Sequence, residues 1–220
     1  EMGGKIYLNN GVKKLTLQDK KVTGFTLEDG QKVEADEVVI NGDFGHIMTT
    51  VVEPGVLKKY SPKKLDEKHY SCSTFMLYLG VNKRFDLPHH TIWFAKDYRK
   101  NVEEVTKTKL LSEDPSIYIQ NAIATDETVA PDGKSTLYIL VPVPNNSSGI
   151  NWDKVAAPFR EMVLDMVSEK LGVADIRDYI EEERMMTPDN WANDIGVYKG
   201  ATFNLGHQLS QMLVFRPRNK

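Results

Sequence analysis

Apolar and polar side chains alternate through most of the first 40 residues. Gly11–Leu17 and Val22–Leu27 both keep the period of two that suits a strand with one covered face. Asp19-Lys20-Lys21 supplies a turn between them. Asp29-Gly30 then separates Val22–Leu27 from the short run 32–35, and Asp-Gly between two alternating runs is a strong hairpin signal. Lys5–Leu8 reads as one more short strand. Glu37–Ile40 breaks the alternation with three consecutive β-branched residues, which predicts a strand buried on both faces, as in a parallel sheet.

The pattern then changes. Residues 45–68 look helical, interrupted at Glu53-Pro54-Gly55. Ser71–Val81 is apolar at nearly every position and predicts a central strand. Thr91–Phe94 is a further strand, 97–111 a helical stretch, and Ser116–Asn121 and Ser135–Pro142 two more strands, with Pro142 and Pro144 ending the ladder. Trp152–Leu171 is the clearest helix: Phe159, Met162, Val163, Met166 and Val167 recur at helical spacing, and Gly172 suits the C-cap. Ile176–Met186 fits a strand or a helix. The sum is an α+β fold, a mixed or antiparallel sheet flanked by helices, preceded by a β-meander and one parallel strand. The composition break places a boundary after Asp43, giving units 1–43 and 44–220.

Composition narrows the function classes. The 220 residues are 40% hydrophobic and 27% charged, with a formal net charge of −3. That is the balance of an ordinary globular chain, without the positive field that nucleic acid requires. The single cysteine, Cys72, excludes an intrachain disulfide and fits a reducing, cytoplasmic setting. No apolar run reaches the ~18 residues of a membrane span. Lys58, Lys59, Lys63, Lys64 and Lys68, with Leu57 and Leu65, make a basic face that suits either solvent or an anionic membrane surface. His89-His90 looks like a metal pair, but neighbours on a strand point to opposite faces, so no metal site is expected.

Several segments carry a resemblance. In order they are Ile6–Leu15, Leu27–Asp43, Phe75–Lys100 with its His89-His90, Asp114–Asn145, and then Thr187-Pro188-Asp189-Asn190-Trp191, Gly196–Leu205 and Phe215–Asn219. Together they resemble the bacterial-type phytoene desaturase family, FAD-dependent carotenoid desaturases. The family's glycine-rich flavin turn, GxGxxG between a strand and a helix, is missing, and Gly3-Gly4 leads into a strand instead. The resemblance therefore implies an internal piece of a longer flavoenzyme: a partial FAD domain and most of a substrate domain.

The resemblance implies site residues too. Backbone groups at Gly11, Val12 and Lys13 would hold the adenine of FAD, and Asn41, Gly42 and Asp43 follow a strand where ligands approach; a plain turn with Asp43 as helix cap reads equally well. Phe75, Tyr78, His89, His90, Trp93, Asp189, Trp191, Tyr198, Phe203 and Arg216 would line the substrate, although any one aromatic is also an ordinary core residue. The implied reaction removes two hydrogens across a C–C bond of a polyprenoid, with hydride passing to flavin; no catalytic acid or base stands out. A carotenoid isomerase, an oxygenase, a retinol saturase or a non-enzymatic apolar-ligand module stays open. Partners expected are the carotenoid substrate, the remaining FAD-domain segments, a membrane surface for a peripheral protein, and a second copy of the chain, an exposed apolar groove favouring self-association.

Overall fold

A computed structural model describes residues 3–19 and 21–217, so Lys20 of the first turn and Arg218 and Asn219 of the last signature lie outside the described residues. The chain forms two compact units, Glu1–His69 and Tyr70–Lys220.

The first unit is built on an antiparallel meander of β1 (Val12–Gln18), β2 (Lys21–Leu27) and β3 (Lys32–Glu34). The Asp29-Gly30 turn closes as expected: Asp29 Oδ1 accepts the Gln31 N–H at 2.9 Å. Helix α1 (Phe44–Thr50) is capped by Asp43, whose carboxylate accepts the His46 N–H at 2.8 Å. Leu15, Val51 and Val52 form a small core flanked by Phe25, Ile47 and Met48. The boundary expected after Asp43 falls inside this unit, because α1 lays Ile47 and Met48 against the meander's apolar face.

Two expected strands of this unit do not form. Lys5–Leu8 and Glu37–Ile40 are in no ladder among the described residues, and Val39 is 93% exposed. A strand buried on both faces needs partners on its edges, and the meander provides none. The basic stretch turns inward on its apolar side: Leu65 of α2 (Pro62–Asp66) is fully buried, while Lys58, Lys59, Lys63 and Lys64 face solvent.

The second unit is a five-stranded sheet in the order β5-β6-β7-β4-β8, antiparallel throughout. Its strands are β4 (Ser73–Val81), β5 (His90–Trp93), β6 (Ile117–Asn121), β7 (Ser135–Val143) and β8 (Ile180–Met186). Pro142 sits inside β7 and does not end it. β6 pairs no further than Leu140, so residue 142 has a partner on one side only and its missing N–H leaves no gap in a ladder. Helix α3 (Tyr98–Glu103) runs on into a π-helical turn at Glu104–Thr108. The mixed segment 176–186 resolves into a short 3-10 turn and then β8.

Helix α4 (Trp152–Leu171) closes one face of the sheet. Asn151 caps its start, and Gly172, with φ of 66°, ends it. Pro158 lies inside it, on the exposed side, so the carbonyl that loses its donor can turn to water. The buried side carries Trp152, Phe159, Val163, Leu164 and Val167 against the odd-numbered residues of β4, β6 and β7. Phe75 stacks on Trp152 at 5.9 Å and meets Phe159 edge-on at 5.0 Å. Such pairs add about 0.5–1.5 kcal/mol each beyond the area they bury.

Candidate functional site

With α4 on one face, the even-numbered residues of the central strands stand on the other. The register joins them into two rows that cross all five strands. In one, His90 is opposite Gln120, Gln120 opposite Tyr138, Tyr138 opposite Tyr78, and Tyr78 opposite Arg184. In the next, Ile92, Tyr118, Leu140, Met76 and Met186 follow one another. A polar-aromatic row thus lies beside an apolar one.

This face is open over its middle and its β5 end. Tyr78, Tyr118, Tyr138 and Leu140 are half-buried, and Ile92 is 55% exposed. A concavity of 440 Å³ opens beside Tyr78, Gly80, Thr136 and Tyr138. In the polar row Arg184 stays exposed, while in the apolar row the β8 end is covered instead. Met76 and Met186 are buried there, and helix α5 (Pro188–Asn193) is pinned by Trp191, whose Nε1 donates to the Thr74 carbonyl at 2.9 Å.

Rings touch in sequence across the open face. Tyr78 and Tyr138 meet edge-on at 5.2 Å, Tyr138 and Tyr118 at 6.1 Å, and Tyr118 stacks on His90 at 5.9 Å. Burial pushes the Tyr78 phenol above its ordinary value, an effect that the nearby Arg184 charge partly offsets. Burial likewise raises Tyr138, helped by the neighbouring Tyr78 and Tyr118. Neither phenol ionises at neutral pH. The arrangement offers a long apolar molecule π-faces, methyl and methylene groups, and a few neutral donors at one edge.

The expected lining residues separate. Tyr78 and His90 are on the open face, and His89 sits at its rim, held by Thr125 and Gln120. Phe75 is fully buried under α4, and Trp93 packs against that same core, so both stand on the closed face. Trp191 and Asp189 belong to α5, Asp189 in its first turn. The Tyr198 and Tyr70 rings meet at 5.1 Å with a 49° tilt, and Lys199 lies over both rings. Phe203 is 50% exposed, and Arg216 lies exposed beyond the turn Leu213–Phe215. Tyr118, Tyr138, Gln120, Leu140 and Arg184 were not expected; the cross-strand register brings them in.

The first unit bears on the cofactor. β1 is an edge strand, and a cavity of 420 Å³ lined by Tyr7, Val12, Phe25, Leu27 and Gln31 opens at its start. Of the trio expected at the adenine end of FAD, Val12 lines this cavity, while the Gly11 carbonyl accepts the Glu28 N–H at 2.9 Å. A Cβ on Gly42 would stand 3.0 Å from the Ile47 side chain, and Asp43 serves as the cap of α1. Among the described residues no group of three His, Cys, Asp or Glu side chains could hold a metal ion, and no helix is long and apolar enough to cross a membrane.

Comparison with known proteins gives a consistent picture. Residues 1–220 match the family of flavin containing amine oxidoreductases. The chain is 52% identical over its whole length to a 4,4'-diapophytoene desaturase (4,4'-diapolycopene-forming) of Methylomonas sp, and covers 43% of that protein. It is 34% identical over its whole length to an all-trans-zeta-carotene desaturase of Myxococcus xanthus, covering 42% of it. It therefore spans about two fifths of the length of these curated relatives. A crystal structure of an oxidoreductase from Methanosarcina mazei superposes on 83% of this chain, and on 38% of its own, with a TM-score of 0.54 and 20% identity, which shows a shared fold.

Proposed function

The chain belongs to the flavin containing amine oxidoreductase family, and on that premise we propose that it supplies the substrate-binding part of a carotenoid-desaturase-like FAD oxidoreductase. The reaction removes two hydrogens across a saturated C–C bond of a polyprenoid. The unit Tyr70–Lys220 is the substrate domain, and Glu1–His69 contributes to the FAD domain through the β1 edge at Gly11–Lys13.

What carries this reading is the pair of rows on the open sheet face, in a chain half identical throughout to a diapophytoene desaturase. A polyene is long, flat and apolar. The row from Ile92 to Met186 gives it a track, and Tyr78, Tyr118 and Tyr138 give it ring faces. Adjacent strands lie about 4.8 Å apart, so the three open strands offer a track of roughly 10 Å. α5 closes this track at Met76 and Met186 and it stays open at Ile92, so the chain end enters from the β5 side. FAD, when bound, supplies the oxidant that accepts hydride.

The test uses the full-length protein, expressed with FAD in a host that makes colourless C30 and C40 polyprenoid precursors. The proposed activity yields products absorbing at longer wavelength as conjugation grows. A protein that retains flavin and leaves both precursors colourless would contradict it.

A further inference from the structure

Removing hydride from one carbon leaves a proton to be taken from its neighbour, and the desaturase reading alone names no group to take it. On the open face the titratable candidates are Arg184, Glu182, the tyrosines and His90, and Glu182 stands opposite Gly80, one row further from the apolar row. Arginine stays protonated at any working pH, which removes Arg184. Tyr78 and Tyr138 are neutral phenols made weaker as acids by burial. A neutral phenol is a poor proton acceptor. Imidazole is the side chain that ordinarily changes charge between roughly pH 5 and 8, and one imidazole stands in the polar row.

That ring is His90. Its Nδ1 lies 2.7 Å from the Tyr118 hydroxyl, and the two rings stack with only 24° between their planes. Tyr118 stands in the apolar row between Ile92 and Leu140, so it ties the imidazole to the place where an apolar chain would lie. The titratable groups facing His90 are Tyr118 and His89, with Tyr138 one ring further on. No ion pair or hydrogen bond joins His90 to a carboxylate or a cation among the described residues.

His89 is arranged to stay out of the way. Its ring lies 4.3 Å from that of His90. The Gln120 amide nitrogen, 2.8 Å from His89 Nε2, can only donate. His89 Nε2 therefore accepts, its proton sits on Nδ1, and that N–H donates to Thr125 Oγ1 at 2.6 Å. Both nitrogens are committed in the neutral form.

We propose that His90 is the proton acceptor of the desaturation, with Tyr118 as its positioning residue. This rests on the desaturase reading. His90 Nδ1–H donates to the Tyr118 oxygen, which leaves the Nε2 lone pair to accept a proton. As the C–H pair of one carbon leaves as hydride to the oxidised flavin, the C–H pair of the adjacent carbon closes the new double bond and its proton passes to His90 Nε2. The substrate loses two hydrogens and gains one C=C bond; the flavin is reduced by two electrons. The imidazolium then holds its hydrogen bond to Tyr118 more strongly, since charge-assisted bonds are the stronger kind, and gives the proton to water at the exposed rim.

The experiment uses the full-length flavin-bound enzyme and a C30 precursor. Wild type should show an acid limb in its pH–rate profile. His90→Gln, which keeps a polar partner for Tyr118, should lose about 10²–10⁴-fold in turnover and lose that limb, while flavin content and the absorbance shift of bound carotenoid product stay at wild-type levels. His90→Ala should regain rate with added imidazole, in proportion to the neutral form. A His90→Gln enzyme with wild-type rate and acid limb, or a His90→Ala enzyme that imidazole does not rescue, would overturn the assignment alone. A wild-type enzyme that holds flavin and converts no polyprenoid would overturn the desaturase reading and this proposal with it.

Discussion

Gly200 lies against Pro188, at the start of α5. A Cβ on residue 200 would stand 2.4 Å from the Pro188 carbonyl oxygen, and the backbone there has a φ of +61°. Two stretches that the sequence marks together, Thr187–Trp191 and Gly196–Leu205, are thus one structural device. Both a side chain and its preferred backbone are excluded at this contact. Gly200→Ala should destabilise the full-length protein by roughly 3 kcal/mol and loosen α5 over Met76 and Met186. Thermal unfolding followed by circular dichroism checks it; an unchanged midpoint would show that the contact yields.

Phe75 and Tyr78 are three residues apart on β4 and face opposite ways. Phe75→Ala empties a site between Trp152 and Phe159 and should cost about 3–5 kcal/mol, with turnover falling only as folded protein falls. Tyr78→Ala removes a half-buried ring from the open face. It should cost less stability and lower turnover per folded, flavin-bearing molecule at least tenfold. Equal specific activities for the two variants would remove Tyr78 from the site.

Much of this was legible in the sequence. The period of two in Val22–Leu27, the Asp29-Gly30 turn and the capped run Trp152–Leu171 form as their patterns require, because each is decided locally. Glu37–Ile40 does not, because its apolar pattern asks for neighbouring strands. The open face was half visible. Ile117-Tyr118-Ile119-Gln120 and Leu137-Tyr138-Ile139 put aliphatic residues on one parity and tyrosines on the other, which already separates a core face from another. What periodicity cannot supply is register: nothing local says that Tyr138 is opposite Tyr78 or that Gln120 is opposite His90. The same limit let Phe75 and Trp93 read as lining residues, since neither betrays which parity faces α4.

Residues 1–220 produced alone should not retain FAD. The β1 edge at Val12 is proposed for the adenine end only, and a dinucleotide's directional binding comes largely from a glycine-rich turn at a helix N-terminus, which this sequence lacks. Absorbance of the purified chain in the flavin bands decides it. Stoichiometric flavin would mean that the cavity beside Val12 holds more of the cofactor than its adenine.

Acid should weaken the 3-10 turn Ile176–Tyr179, which Asp175 caps. The Arg177 backbone N–H and then its guanidinium hold this carboxylate below the ordinary range. A depressed folded-state value contributes stability above the ordinary carboxylate value, about 3.9, and that contribution is lost as pH falls through the folded value. The unfolding midpoint of wild type should therefore exceed that of Asp175→Asn near neutral pH, and the gap should close below about pH 4. A gap that stays constant down to pH 2 would show that the hydrogen bonds do not depend on the charge.

The most direct test of the central claim, that the polyene lies on the open sheet face, is Leu140→Arg in the full-length flavin-bound enzyme. Leu140 stands between Tyr118 and Met76 in the apolar row and takes no part in the core under α4. A charge there would have to be desolvated by a bound hydrocarbon. Titration with a carotenoid product, read by its visible absorbance shift, should show affinity lowered at least a hundredfold, with flavin content and unfolding midpoint close to wild type. Wild-type affinity in a folded, flavin-bearing Leu140→Arg enzyme would place the polyene elsewhere.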